Sequence, residues 1–264
     1  MTASDVLDPS SPRRLAGRTV RPVGLGCMNL VHGYSGFPSE AEAEDLLVCV
    51  VEDGTDHLDT ATLYGGGRSE ELVGRALRRL GPAARERVLL ASKGGLTPDP
   101  DRPVDGRPEE DMRHRMPRFQ EPAWPSNLAL RERLAEEARR LGTTTASLAV
   151  AWVLARGEDV VAIPGTTSWD HWTEDRDGQT VRLTADDVAR LDALVNHATA
   201  AGSAGVVQVT FAGGGTRPVT LAPMSPSPGV TAASPGTGPL APTDAPVPHT
   251  DRRRPQHGAS DEWR

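Results

Sequence analysis

The sequence predicts an α/β fold built on parallel strands, and residues 54–95 carry the three observations that indicate it. Residues 55–58 form a short segment that starts with a β-branched residue and ends at Asp59, and residues 87–92 form a continuous apolar run typical of a strand buried on both faces. Between them, residues 70–80 place their apolar side chains along one side of a helix. A strand, a helix and a second strand of these lengths form a unit whose strands are parallel.

Two further strands and four further helices complete the predicted core. The glycine-containing residues 23–30 are predicted as the first strand and residues 159–163 as the last. Ser39 and Glu42 form a capping box that starts a helix, and Ser69 is expected to cap the helix over residues 70–80. The other predicted helices cover residues 127–141, residues 147–156 and a segment from Thr184 to near Asn196.

The composition divides the chain into three parts. Residues 1–13 are polar and expected to be flexible, residues 14–198 hold the predicted core, and residues 199–264 are rich in Gly, Pro, Ser and Thr. The last part has too few apolar side chains to offset the entropy of ordering it, so we expect a disordered tail.

Charge and cysteine content narrow the class of protein. The net charge is −7 and the isoelectric point about 5.5, which argues against nucleic acid as the main partner. Cys27 and Cys49 lie in apolar segments and are expected to be buried thiols of a reducing compartment. The sequence shows neither a secretory signal nor an apolar run of membrane-spanning length, so we expect a cytoplasmic protein without a membrane partner. No metal site is predicted.

Lys93 is the only lysine in a chain that contains 29 lysine and arginine residues together. Arginine stays charged at any working pH, whereas a buried lysine can share or lose its proton. A position that keeps lysine is therefore expected to use the ammonium group itself. Asp59 and Lys93 follow neighbouring predicted strands and Tyr64 lies in the loop after the first, so all three are expected at the carboxyl ends of the strands.

Together these three side chains can perform general acid catalysis. A phenol has an ordinary pKa of about 10, and a nearby ammonium group lowers that pKa by stabilising the phenolate. A carboxylate keeps the ammonium group charged and in place, so the phenol can give its proton to a carbonyl oxygen as hydride reaches the carbonyl carbon. The alternative is purely structural: an aspartate at a strand end, a tyrosine in a loop and a lysine on the surface.

The segments DTATLYGGGRSEELVGRAL and VLLASKGG resemble the signature of the aldo-keto reductase family. The resemblance implies a (β/α)8 TIM barrel that uses NADPH to reduce aldehydes and ketones. It implies that Asp59, Tyr64 and Lys93 are catalytic, with Tyr64 as the proton donor. The implied cofactor contacts are Gly26, Met28, Pro164, Gly165, Thr166, Thr167, Ser168, His171, Glu174 and Asp175.

The implied cofactor loop departs from the family pattern. Many relatives carry lysine or arginine directly after Pro-Gly-Thr, whereas this chain has Thr167 and Ser168, and it has Asp175 where an adenine-contacting asparagine is usual. A 2′-phosphate would meet backbone N–H groups and His171, with no other cation. We therefore expect weak NADPH binding with little preference over NADH.

The predicted core is too short for a complete barrel, which takes about 250 residues. Its four strands correspond to the first three and the last strand of the family, so the middle of the barrel is missing between Lys93 and Met116. The missing part includes the strand that carries the family's catalytic histidine, and His114 does not match that residue. The resemblance thus implies an incomplete barrel with about four parallel strands.

Two functions stay open for such a chain. The retained trio favours reduction of a small carbonyl substrate, whereas the missing histidine and nicotinamide site favour a truncated, inactive relative. Because the last strand of a closed barrel lies beside the first, the four strands should form a half-barrel whose two free edges favour a homodimer. The side chains expected to face the open interior and meet water are those of Val23, Leu25, Leu58 and Leu90.

Overall fold

A computed structural model of the protein describes residues 8–95 and 111–202 and the backbone of 206–210 and 216–220. The strands are β1 (Arg13–Leu15), β2 (Arg18–Val20), β3 (Leu25–Gly26), β4 (His57–Asp59), β5 (Leu89–Ala91), β6 (Val206–Thr210) and β7 (Thr216–Thr220). The α-helices are α1 (Glu40–Glu52), α2 (Arg68–Leu80), α3 (Pro82–Arg87), α4 (Ala123–Arg140), α5 (Thr145–Leu154), α6 (Trp169–Asp177) and α7 (Ala185–Leu194).

A short parallel sheet lies at the centre of the fold. Strand β4 pairs with β3 on one side and with β5 on the other, so that Leu25, Leu58 and Leu90 are in register. The predicted last strand is reduced to two parallel bridges, from Val23 to Ala162 and from Gly26 to Gly165. The last parallel segment therefore lies beside the first, as the prediction of an incomplete barrel requires.

The assignment of the sheet faces from the sequence was wrong. Leu25, Leu58 and Leu90 occupy one face because they are cross-strand neighbours. Val23, Leu25 and Leu58 are at most 2% exposed and belong to the core that the helices cover, and Leu90 is partly buried against the same core. These side chains point outward to the helices, so the missing strands do not expose them to water.

On the opposite face of the sheet, which would face the barrel interior, β3 and β4 carry small and polar residues, whereas β5 carries the partly buried Leu89. A Cβ atom at Gly24 would lie 2.2 Å from the ring of His57, so glycine leaves the space that this imidazole fills. A Cβ atom at Gly26 would lie 2.8 Å from the carbonyl oxygen of Ile163. Asp59 lies in register with Gly26 on this face. On β3 and β4, therefore, little apolar surface depends on further strands for its burial.

Helix α1 begins as predicted, whereas α2 does not. Ser39 and Glu42 form the expected capping box of α1. Helix α2 begins at Arg68 after Gly67, and Ser69 is buried inside it: its hydroxyl accepts a hydrogen bond from Thr60 and donates one to the carbonyl oxygen of Cys27. Glycines 65–67 have positive φ angles of 60°, 67° and 97°, which lead the chain into the helix without a side-chain cap.

A buried tryptophan helps to attach helix α6 to the core. Trp172 of α6 is fully buried, and its indole N–H donates to the carboxylate of Asp53 at 3.2 Å. Arg176 donates to both oxygens of the same carboxylate at 2.9 and 2.8 Å. These bonds attach α6, which the sequence did not predict, to the end of α1. Thr184 and Asp187 cap α7 with a capping box.

The described chain remains attached to the core slightly beyond the predicted end at residue 198. The amide of Asn127 donates to the carbonyl oxygen of Ala201 at 2.8 Å and accepts from its N–H at 2.9 Å. Strands β6 and β7, which lie inside the predicted tail, pair antiparallel. The remainder of the tail and residues 1–7 lie outside the described residues, as do residues 96–110 of the predicted loop.

In the part of the chain that is described, no helix has the length and apolarity to cross a bilayer.

Two edges of the sheet have no partner strand among the described residues, and we expect them to associate in a homodimer, with β5 of one copy beside residues 162–165 of the other. Ile163 lies on the second edge and is 43% exposed. The change Ile163→Lys places a charge on this edge, a feature that blocks edge pairing. Sedimentation velocity should show a dimer for the natural chain and a monomer for this variant.

The matched control is Val153→Lys on α5, because Val153 is the other large exposed apolar residue among those described, at 38%. This variant should remain a dimer. A natural chain that sediments as a monomer at all concentrations would contradict edge pairing.

Candidate active site and nucleotide cavity

Asp59 and Lys93 meet at the carboxyl ends of β4 and β5. Asp59 is the last residue of β4 and lies in register with Ala91, two residues before Lys93. The Lys93 ammonium nitrogen lies 2.5 Å from Asp59 Oδ1 and 2.8 Å from the carbonyl oxygen of Thr60. The register of two parallel strands therefore creates the predicted ion pair.

Tyr64 completes the predicted trio. It begins the short 3₁₀ turn Tyr64–Gly67 that connects β4 to α2. The Lys93 ammonium nitrogen lies 5.0 Å from the centroid of the Tyr64 ring. The structure thus brings together the three residues that the sequence assigns to acid catalysis.

The environment of Lys93 keeps its ammonium group protonated. Burial lowers the pKa of Lys93, but the hydrogen bonds and charges of Asp59 and Tyr64 outweigh this effect, and the resulting pKa is above its ordinary value of 10.5. Lys93 is therefore a fixed positive charge at neutral pH. Such a charge stabilises a phenolate beside it.

His32 is a neighbour of Tyr64 that the sequence did not reveal. The two rings are stacked, with centroids 5.9 Å apart and planes inclined by 26°. Burial lowers the pKa of His32 below its ordinary value of 6.5, so the imidazole is neutral at pH 7. His32 lies in a glycine-rich turn without periodicity, and only the folded chain shows that it reaches the site.

The turn that carries His32 is fixed by a segment that follows the undescribed loop. The buried carboxylate of Asp111 accepts hydrogen bonds from Ser35 and from Arg113. Burial raises the pKa of Asp111, but these hydrogen bonds and the Arg113 charge reverse the effect and hold the pKa far below its ordinary value. The guanidinium of Arg113 also lies over the ring of Tyr34, at 5.2 Å from its centroid.

A separate open cavity of about 740 Å³ lies beside the end of the last parallel segment. Six of the ten predicted cofactor contacts line this cavity: Gly165, Thr166, Thr167, His171, Glu174 and Asp175. Gly26, Met28, Pro164 and Ser168 are outside its lining. Gly26 pairs with Gly165, and Ser168 caps α6 by accepting a hydrogen bond from the N–H of His171.

Two arginines bring positive charge to this cavity, which corrects the expectation that His171 would be the only cation. Arg131 and Arg139 line the cavity from α4, together with Ala135. Residues 131, 135 and 139 follow each other at intervals of four and so lie on one stripe of the helix. The sequence contains this signal, but it gains meaning only when α4 packs here. Guanidinium groups, threonine hydroxyls and the imidazole of His171 form a donor set that suits a phosphate-bearing cofactor.

Asn29 joins the cavity to the sheet. Its side-chain amide donates to the carbonyl oxygen of Gly165 at 3.1 Å. A Cβ atom at Gly165 would lie 2.7 Å from Asn29 Oδ1, so this approach requires glycine. Asn29 therefore connects the residues after β3 directly to the loop that lines the cavity.

Comparisons with known proteins place the chain among aldo-keto reductases. The sequence profile of the aldo/keto reductase family matches residues 22–115 and 99–196. Probable aldo-keto reductase 1 of Glycine max is 34% identical over 95 residues, which are 35% of this chain and 27% of that protein. The aldo-keto reductase yakc (NADP+) of Schizosaccharomyces pombe is 33% identical over 89 residues, 34% of this chain and 25% of that protein. The matched region thus spans about a quarter of the length of these relatives.

Solved structures confirm the fold. A glycerol dehydrogenase from Gluconobacter oxydans aligns with 70% of this chain and 95% of its own at a TM-score of 0.56 and 17% identity. The thermostable aldo-keto reductase Tm1743, solved with the inhibitor epalrestat, aligns with 70% of this chain and 100% of its own at 0.50 and 19% identity. The described sheet corresponds to part of this barrel.

We predict that Asp175→Asn stabilises the protein at pH 7.5. Burial and the charge of Glu174 raise the pKa of Asp175 from 3.8 to about 6. Between these two pH values the folded state binds more protons than the unfolded state, so stability falls as the pH rises through this window and stays lower above it. The neutral amide removes this loss, and each kcal/mol gained raises Tm by roughly 2–4 °C in a domain of this size.

Thermal melts at pH 4 and pH 7.5 test this prediction. The variant and the natural chain should melt alike at pH 4 and differ at pH 7.5. Asp170→Asn, an exposed carboxylate of the same helix, is the control and should not show a gain that appears only at high pH. Equal melting temperatures of Asp175→Asn and the natural chain at both pH values would contradict the assignment.

Proposed function

The chain belongs to the aldo/keto reductase family, and we propose that it reduces an aldehyde or ketone with NADPH as the hydride donor. The observation that supports this proposal is the position of Lys93, which binds the carboxylate of Asp59 at 2.5 Å and lies 5.0 Å from the ring centre of Tyr64. An oxidoreductase of this class needs a proton donor at the carbonyl oxygen. The trio supplies a phenol, a fixed positive charge and a carboxylate that orients the charge.

In the proposed reaction Tyr64 gives its hydroxyl proton to the carbonyl oxygen. The bound cofactor supplies the hydride for the carbonyl carbon and is released oxidised, so the products are an alcohol and NADP+. Loss of the proton leaves a phenolate at Tyr64, which the Lys93 ammonium stabilises. Asp59 keeps that ammonium charged and prevents it from turning away. A proton from solvent then restores the phenol.

The cavity beside residues 165–175 would hold the adenosine phosphate end of the cofactor. Arg139 and Arg131 supply charge for the 2′-phosphate, Thr166 and Thr167 supply hydroxyls, and Asn29 fixes the loop. One relative carries NADP+ in its name, which supports the same cofactor here. No residue among those described is assigned to the nicotinamide ring.

The first prediction concerns the proton donor. Tyr64→Phe keeps the ring that stacks on His32 and removes only the hydroxyl, so carbonyl reduction should fall by about 10²–10⁴-fold while NADPH binding stays the same. NADPH oxidation with 4-nitrobenzaldehyde measures turnover, and tryptophan fluorescence measures binding. Tyr34→Phe is the matched control, because it removes the only other phenol of the chain.

This comparison also separates reduction from an inactive remnant of the family. Unchanged turnover in Tyr64→Phe would refute the role of Tyr64. No turnover in the natural chain, together with no fluorescence change on addition of NADPH, would identify a remnant.

The second prediction concerns the cofactor phosphate. Arg139 is exposed, and among the described residues it forms no ion pair. Arg139→Gln should weaken NADPH binding roughly 3–10-fold and leave NADH binding unchanged. The expected loss is smaller than for a buried charged hydrogen bond because the guanidinium group is solvated. Arg133→Gln, on the same helix but outside the cavity lining, is the matched control. Calorimetry should show the loss for Arg139→Gln only; equal losses for NADPH and NADH would contradict a phosphate contact.

A further inference from the structure

The ring of His32 is held beside the proposed proton donor by the backbone. The N–H of His32 donates to the carbonyl oxygen of Met28 at 2.9 Å. A Cβ atom at Gly65 would lie 3.1 Å from the side chain of Val31, so the turn after Tyr64 packs directly on the residue before His32. The 5.9 Å between the two ring centroids is therefore a fixed feature of two tightly packed turns.

The hydrogen-bonding state of the imidazole indicates which nitrogen carries the proton. Nδ1 of His32 is buried and has no hydrogen-bond partner among the described residues. Nε2 is neither buried nor bonded to any residue of the described chain. A neutral imidazole has one N–H donor and one bare nitrogen. An orphaned buried N–H group is rarer in proteins than an orphaned acceptor, so the proton belongs on Nε2.

The cation of the site, Lys93, already has hydrogen-bond acceptors within the protein. The ammonium group of Lys93 donates to Asp59 and to the carbonyl oxygen of Thr60. A carbonyl oxygen that accepts from Tyr64 has a second lone pair, which can accept a hydrogen bond from a second donor. Nε2–H of His32 is a donor without a partner among the described residues, on a ring that is stacked on Tyr64.

We propose that His32 donates a hydrogen bond from Nε2 to the substrate carbonyl oxygen and thereby orients it toward the hydroxyl of Tyr64. This inference rests on the proposed carbonyl reduction. The proton that moves to the oxygen comes from Tyr64, and His32 keeps its own proton throughout. The pKa of His32, which burial lowers, supports a neutral donor that does not compete with Tyr64 as an acid.

Ring-nitrogen NMR of the full-length chain with ¹⁵N-labelled histidine tests the contact directly. The chain contains seven histidines, and the signal that disappears in His32→Gln identifies His32. Acetophenone, a ketone that does not react with the single lysine as readily as an aldehyde, is the probe and is added with and without NADP+. We expect the Nε2 signal of His32 to shift on addition of acetophenone, with Nε2 protonated at pH 7.

Turnover of 4-nitrobenzaldehyde gives the second measurement. His32→Leu fills the same space without a donor and should lower kcat/KM by roughly 10²–10³-fold, the effect of losing one donor to a developing oxyanion. His32→Gln keeps an N–H donor and should recover part of this loss. Thermal melts show whether each variant is folded, and the NMR result on the natural chain does not depend on any variant.

The outcomes distinguish this inference from the proposed function. A shifted His32 signal in a chain that has no turnover supports the carbonyl contact and refutes the reduction. Turnover that depends on Tyr64, with an unmoved His32 signal or an unaffected His32→Leu variant, refutes the contact and keeps the reduction. An unmoved signal together with no turnover refutes both.

Discussion

The register of the parallel sheet is the constraint on which the site depends. Because Asp59 pairs with Ala91, the chain leaves β5 two residues before Lys93, and the ammonium group reaches the carboxylate of the neighbouring strand. The same register sends Leu25, Leu58 and Leu90 toward the helices and leaves Gly26 and Asp59 on the opposite face. A slip of one residue would exchange the two faces and separate the ion pair.

The ion pair sets the chemistry of the site through the state of Lys93. Burial disfavours the ammonium form, and Asp59 together with Tyr64 restores it, so the positive charge persists close to the phenol. The neutral ring of His32 lies on Tyr64 as well. One ring therefore has a fixed charge and a neutral donor as neighbours, which are the two kinds of group that a proton transfer to a carbonyl oxygen uses.

The sequence was sufficient for the trio and insufficient for its surroundings, for identifiable reasons. Lys93 follows a strand whose end is visible as a change from apolar to polar residues, and Asp59 and Tyr64 lie in the motif that resembles the family signature. The faces of the strands were not visible, because a run such as residues 87–92 is continuously apolar and shows no alternation. Ser69 looked like a cap because serine before two glutamates is a capping pattern, but glycines 65–67 turn the chain without one.

His32 and Arg139 were missed because their roles depend on contacts between segments distant in the sequence. Loop 33–35 beside His32 is fixed by Asp111, which follows the undescribed segment, and Arg139 reaches the cavity only because α4 packs near residues 165–175. Neither contact has a local pattern. The loop after Pro164-Gly165-Thr166 lacks the lysine or arginine that is common in the family. The arginines that line the cavity come from α4 instead.

The polar inner face of β3 and β4 reduces how much this part of the sheet depends on a closed barrel. A closed barrel is filled by large apolar side chains from all of its strands, and a fragment of such a barrel would expose them. Here the interior positions of β3 and β4 hold Gly26, His57 and Asp59, and His57 is buried over Gly24 without any contribution from missing strands. The apolar side chains of the same strands are buried by α1 and α2 on the outer face. Burial of the apolar side chains of β3 and β4 therefore does not require a closed barrel. The site at the strand ends depends on this buried core.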